Sequence, residues 1–276
     1  MMLRLSPILL GLLIGSPLAW AQPNPQWIRV AVVQGDPTVN LQIHGRFTVL
    51  TLATCNPLHA GRRLDPVAVR ALPEGIALGA QVWPVSGVRI ETQSNGTINL
   101  NGKRLRGAVD IVRQQDLTLL VVNYVALEDY LWGVLSKEAP DYWPVEALKA
   151  IAIIARTYAV HQRFTKEQGT YDVTADVMSQ DYGGKTSEKA STTKAVKATE
   201  GWILMYRTQL FPTFYHSTCG GMTEHARVMG RYDLEPLRGG IKCSFCAASP
   251  FFRWQRRLTK ADVAWALRKS RAGSNR

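Results

Sequence analysis

Glu138 is the residue whose setting first suggests chemistry. It stands just before Ala139-Pro140, between two apolar stretches of helical period. A carboxyl at the C-terminal end of a helix meets the negative end of the helix dipole, and the nearby Trp132 and Trp143 would withdraw water from it. Both effects favour the neutral acid and raise its pKa toward the range of a general acid. The same carboxyl is also within sequence reach of Lys137, Arg156 or a loop amide, any of which would make it structural. Asp141 and Glu146 are the next acids along the chain, but their spacing suits helix-start positions, so no second catalytic carboxylate is expected.

A second cluster involves sulfur. His216-x-x-Cys219 and Cys243-x-x-Cys246 pair ligands two residues apart, a spacing that suits a closed, structural zinc site with three thiolates and one imidazole. In an oxidising compartment the competing outcome is a disulfide among Cys219, Cys243, Cys246 and Cys55. Either cross-link would tie the loop His216–Gly221 to the segment before Ser249-Pro250.

The elements that must position these residues differ along the chain. From Gln26 to about Asn123, short β-branched runs alternate with Gly, Pro and Asn-Gly punctuation. They are Ile28–Val33, Phe47–Ala53, Gly79–Thr92 and Thr97–Val112. Asn95-Gly96 and Asn101-Gly102 predict hairpin turns, and Leu117–Val125 predicts a strand buried on both faces. Then the period changes. Leu127, Tyr130, Leu131, Val134 and Leu135 repeat at helical spacing, with Glu128 and Asp129 in the first turn, where the dipole favours acids. Pro140 ends that helix and Pro144 opens a second, whose expected buried stripe is Ala147, Leu148, Ile151, Ile154, Ala155 and Tyr158. The expectation is an α+β fold, a strand-rich N-terminal region packed on a helical catalytic core.

The chain has 276 residues, enough for a sizeable core, and carries a net charge of +12. Arg4, the apolar run Ile8–Leu18 and Ala19-Trp20-Ala21 have the form of a secretory signal cleaved after Ala21, with an uncleaved anchor as the alternative. This gives an expected division into a signal (1–21), a strand-rich part (22–124), a catalytic core (125–252) and a basic C-terminal segment (253–276). The last of these holds eight basic residues and one acid, Asp262. For an exported protein, placed in the periplasm or cell wall, such a segment points to an anionic envelope polymer or a lipid surface, not to nucleic acid.

The residues from Val122 onward resemble the SpoIID/LytB family, named for a sporulation protein and an amidase enhancer of bacterial cell walls. The resemblance rests on Val122-Asn123, Leu127–Leu131, Gly133-Val134, Glu138-Ala139-Pro140, Trp143-Pro144, Glu146–Ala150 and Ala155–Ala159. It continues through Ser179–Tyr182, Ala195-Val196, Thr199–Gly201 and Tyr215–Glu224. It implies a lytic transglycosylase that cleaves peptidoglycan glycan strands already stripped of peptide, with Glu138 as catalytic acid. The family's other implied role is a non-catalytic, wall-binding enhancer of a cell-wall amidase. Lys149 and Arg156, two turns apart on the second helix, would hold the muramic acid carboxylate or steer Glu138. Gln180, Tyr182 and Ser217 would line the sugar cleft. One departure stands out: some relatives place Cys and His just before the Gln-x-Tyr segment, whereas Tyr171–Ser179 contains neither.

Overall fold

The computed structural model describes residues 27–93, 96–166, 168–230 and 232–273, so the expected signal at 1–21 lies outside it. Ten strands come first: β1 (Trp27–Asp36), β2 (Thr38–Thr51), β3 (Pro57–Leu72), β4 (Gly75–Leu78), β5 (Gln81–Trp83), β6 (Gly87–Thr92), β7 (Thr97–Leu100), β8 (Lys103–Leu105), β9 (Ala108–Arg113) and β10 (Leu119–Ala126). Helices α1 (Leu127–Glu138) and α2 (Val145–Thr165) follow, then β11 (Val173–Thr174), a 3-10 turn at Gly184–Ser187, and α3 (Ala190–Ala198). The short pair β12 (Met205–Tyr206) and β13 (Gln209–Leu210) and the helix α4 (Lys260–Gly273) complete the order. The fold is α+β, as the sequence implies.

Among the described residues one sheet runs β11-β1-β10-β9-β6-β2-β3-β4-β5. β2 is its organiser. On one edge it pairs with β3 along its length; on the other it pairs with β7 through Leu41–His44 and with β6 through Phe47–Thr51. β6 and β7 therefore lie end to end along β2; the expected Asn95-Gly96 turn falls partly outside the described residues. Asn101-Gly102 does form the β7–β8 hairpin turn, with φ of 49° and 83° at its two residues, the left-handed pair that a type I′ turn needs. β3 was not expected from the sequence, because its mostly exposed or half-buried residues include Pro57 and Pro66.

β10 lies between β1 and β9, and Leu119–Asn123 are buried without alternation, because the strand is covered on both faces. Sheet and helices share one core: Ile28, Val30, Leu119, Val121 and Val125 pack in the same cluster as Leu127, Tyr130, Leu131, Val134, Leu148 and Ala152. In α1 every residue of the expected stripe is buried. α2 instead buries Leu148, Ala152, Ala155, Arg156, Thr157, Ala159 and Val160, a stripe rotated from the expected one. Pro144 sits at its N-cap.

Two buried ionic groups hold the elements together, one joining α2 to the sheet and one joining the two helices. Asp172, fully buried, accepts from the Arg29 backbone N–H at 2.7 Å and from its guanidinium at 2.6 Å, with Arg163 at 3.3 Å. Arg156, also fully buried, makes two bonds of 2.7 Å to Glu128 across the α1–α2 interface.

Candidate active site

Glu138 is the last residue of α1, and the chain turns away at Ala139, whose N–H closes on the Leu135 carbonyl. Its half-buried carboxyl opens into a cavity of about 360 Å³ lined also by Tyr158, Met178, Ser179, Asp181, Phe214 and Tyr215. The Asp181 backbone N–H donates to Glu138 Oε1 at 2.9 Å. The Tyr215 hydroxyl faces the same carboxyl and favours its charged form. Burial pushes the Glu138 pKa up; the Asp181 amide and the Tyr215 hydroxyl pull it back, and burial is the stronger influence. The direction is the one expected, but the cause is not. Trp132 lies beneath Arg106 and Lys197, Trp143 is exposed, and neither lines the cavity. Water is excluded instead by residues brought from far along the chain.

A buried chain of hydrogen bonds sets the phenol. Tyr130 donates to Gln180 Oε1 at 3.0 Å, which fixes the amide so that Nε2 donates to the Ala155 carbonyl at 3.3 Å and to the Tyr215 oxygen at 3.2 Å. With its oxygen already accepting from Gln180, Tyr215 directs its own hydrogen at Glu138. Lys137 pairs with Asp181 at 3.2 Å at the cavity's edge, and Lys103 donates to the Tyr182 carbonyl at 2.7 Å. Desolvation holds the Lys103 pKa below the usual lysine range.

The segment Asp181–Ser187 reaches the site because α1 leaves room for it. Gly133 faces the Tyr182 ring so closely that a Cβ would lie 2.6 Å from it, and the Gly133 carbonyl accepts from the Gly183 N–H at 3.1 Å and from Ser187 at 2.8 Å. A side chain at residue 133 would push this segment, and with it the Asp181 amide, away from Glu138.

The other expected site residues take different places. Gln180 is 1% exposed and supports Tyr215, so it does not line a sugar cleft. Tyr182 is equally buried, tilted against Tyr130 at 5.1 Å, with its hydroxyl donating to Asn123 at 2.9 Å; it offers no stacking face. Arg156 is spent on Glu128 and on the Val196 and Trp202 carbonyls, so it is not available to a ligand. Lys149 pairs with Glu146 at 2.8 Å near the start of α2 and is not among the residues lining the cavity. Ser217 and His216 are exposed just beyond Tyr215 and also lie outside the lining. Tyr215 and Asp181 were not singled out as site residues from the sequence, although both fall within the matched motifs.

Cys219, Cys243 and Cys246 do come together, with one sulfur from each inside 4.8 Å of the others. Cys219 Sγ lies 3.2 Å from Cys246 Sγ, a thiol contact and not a disulfide, and the Cys243 N–H donates to the Gly221 carbonyl at 2.9 Å. His216 is not part of the group, which corrects the expected four-ligand set. Cys55 is exposed in the turn after β2, outside the cluster.

Comparison with known proteins agrees with the resemblance read from the sequence. Residues 115–206 match the family described as SpoIID, stage II sporulation protein. An amidase enhancer of Bacillus subtilis (strain 168) is 37% identical over 141 residues, covering 50% of this chain and 19% of that protein. Stage II sporulation protein D of the same organism is 27% identical over 169 residues, covering 56% and 49%. An uncharacterized protein of Brachyspira hyodysenteriae (strain ATCC 49526 / WA1) is 36% identical over 163 residues, covering 59% and 43%. The chain spans less than half the length of each of these three.

Proposed function

From a chain similar to the SpoIID/LytB family across residues 115–206, we propose an exported peptidoglycan lytic transglycosylase that cuts glycan strands, preferably those stripped of peptide. Cleavage falls between N-acetylmuramic acid and N-acetylglucosamine and leaves 1,6-anhydro ends. The observation that carries this reading is the Glu138 carboxyl, half-buried in a cavity and biased toward its neutral form by burial. A neutral carboxyl protonates the glycosidic oxygen as the bond to the anomeric carbon breaks. The carboxylate left behind takes the proton from the same sugar's C6 hydroxyl, whose oxygen closes on the anomeric carbon. One group gives a proton and regains one, so the second carboxylate of a hydrolase is not required. The Asp181 amide and the Tyr215 phenol stabilise the transient carboxylate.

Three thiolates suit zinc. A tetrahedral site with Zn–S bonds of about 2.3 Å needs sulfurs roughly 3.8 Å apart, and the three sulfurs lie within 4.8 Å of one another. Cys219, Cys243 and Cys246 would hold the ion as a structural brace for the segment that carries Tyr215.

The test is digestion of peptide-free glycan strands by the protein and by Glu138→Gln, with products read by mass spectrometry. Anhydro-ended sugars from the unaltered protein alone support the reading; reducing ends from it overturn the transglycosylase step. A second reading is favoured by the 37% identity to a protein named amidase enhancer: a non-catalytic wall binder that assists an amidase. It predicts no products and equal glycan binding by both proteins.

A further inference from the structure

A polar groove of about 730 Å³ lies beside the N-terminal end of α1, with Trp27, Tyr124, Asp129, Arg106 and Lys185 among its walls. We infer that it is a second saccharide-binding site, in which Trp27 supplies a stacking face and Asp129 the hydrogen-bond acceptors for sugar hydroxyls. The inference rests on the glycan reading above and extends it to a part of the fold outside the Glu138 cavity.

The aromatic platform is built. Trp27 stacks on Tyr124 with ring centroids 5.3 Å apart and planes 22° from parallel, while the Arg89 guanidinium lies 5.1 Å from the Tyr124 ring centre. Trp27 remains 41% exposed. A sugar ring has an apolar face of C–H groups that lies on such a ring, and an edge of hydroxyls that needs acceptors.

The acceptor is equally distinctive. Asp129 is half-buried, and no hydrogen bond or close ion pair to it is found among the described residues. Burial pushes its pKa up, the sign of a carboxyl that lacks enough polar company. The two arginines are committed elsewhere: Arg89 binds Asp110 at 2.7 and 2.8 Å, and Arg106 binds Glu188 at 2.6 and 2.8 Å. An anionic ligand would therefore meet Asp129 and Glu91 with only Lys185, among the cations lining the groove, left to offset them. A neutral polyol meets an acceptor in need of donors.

The groove is close enough to Glu138 for one polymer to touch both. Asp181 lines the Glu138 cavity and Lys185 lines the groove. Four residues of extended chain span no more than about 14 Å, so the two rims are within a few sugar units of each other.

The experiment titrates the Glu138→Gln protein, which cannot turn over its ligand, with a peptide-free glycan disaccharide and octasaccharide. Added to that background, Trp27→Ala and Asp129→Asn are expected to weaken octasaccharide binding about tenfold, or ~1.4 kcal/mol, while Trp27→Tyr retains it. Unchanged octasaccharide affinity in Trp27→Ala and Asp129→Asn, with anhydro products still formed by the unaltered protein, overturns the groove and leaves the glycan reading intact. If no form of the protein binds either saccharide, the glycan reading fails and the groove falls with it.

Discussion

Glu138 is pulled in two directions, and the balance can be measured. Burial favours the protonated carboxyl, while the Tyr215 hydroxyl favours the charged one. Replacing Tyr215 with Phe removes a stabiliser of the carboxylate, so the pKa climbs further and the alkaline limb of the activity profile moves to higher pH. A pH–rate series on the Tyr215→Phe protein checks this; a limb that stays or moves down contradicts the hydrogen bond's role. The same shift has a stability consequence. Since the folded pKa lies above the unfolded one, the folded state binds more protons between them, and stability falls as pH rises from the ordinary glutamate range through the raised value. Glu138→Gln removes that loss. Urea denaturation should find it more stable than the unaltered protein near neutral pH, with the difference shrinking on acidification. The carboxyl itself was legible in the sequence, because proline and helical period place it at a helix end. Its partners were not. Nothing in the local sequence tells whether Gln180 faces a sugar or a buried phenol, and only the tertiary path of Tyr130, Ala155 and Tyr215 decides it.

At the scale of elements, α1 carries the site because three things hold it. Its apolar stripe packs on β10 and β1, Gly133 admits the 181–187 segment, and Glu128 ties it to α2 through Arg156. Arg156→Leu would leave the partly buried Glu128 with only the Gly201 N–H, and would take the guanidinium away from the Val196 and Trp202 carbonyls. A loss of about 3–5 kcal/mol is expected from breaking such a pair, seen as a lower urea midpoint with an unchanged slope. A stability equal to that of the unaltered protein would return Arg156 to the candidate ligand-binding residues. Helix periods gave α1 fully, since its burial is one-sided. They gave α2 with a rotated stripe, because Arg156 and Thr157 are polar residues that face inward. The two Asn-Gly pairs show the limit for strands. Asn101-Gly102 turns β7 into β8, whereas β6 and β7 both lie along β2, an arrangement visible only once β2 is placed.

For the whole molecule, the basic C-terminal segment contributes no residue to the lining of the Glu138 cavity. It contains α4, whose start is fixed by Thr259 and Asp262 bonded to each other, and it exposes Trp254 at 80%. Deletion of 253–276 is expected to abolish salt-sensitive retention on an anionic wall polymer while leaving anhydro product formation from free glycan in place. Retention on that polymer, measured at low and high salt, checks it; unchanged retention removes the segment's proposed role. The charge of this segment was plain from the sequence, but its helix was not, because its apolar residues run together from Val263 to Leu267 instead of marking one face. The order of residues along the chain also decides when the cavity closes during synthesis. A chain synthesised only as far as the end of α3 holds Glu138 and its helix, but neither Tyr215 nor Phe214 to close the cavity. Until those residues arrive the carboxyl is more open to water and less strongly biased toward its neutral form, so a nascent chain carries an acid that is not yet armed.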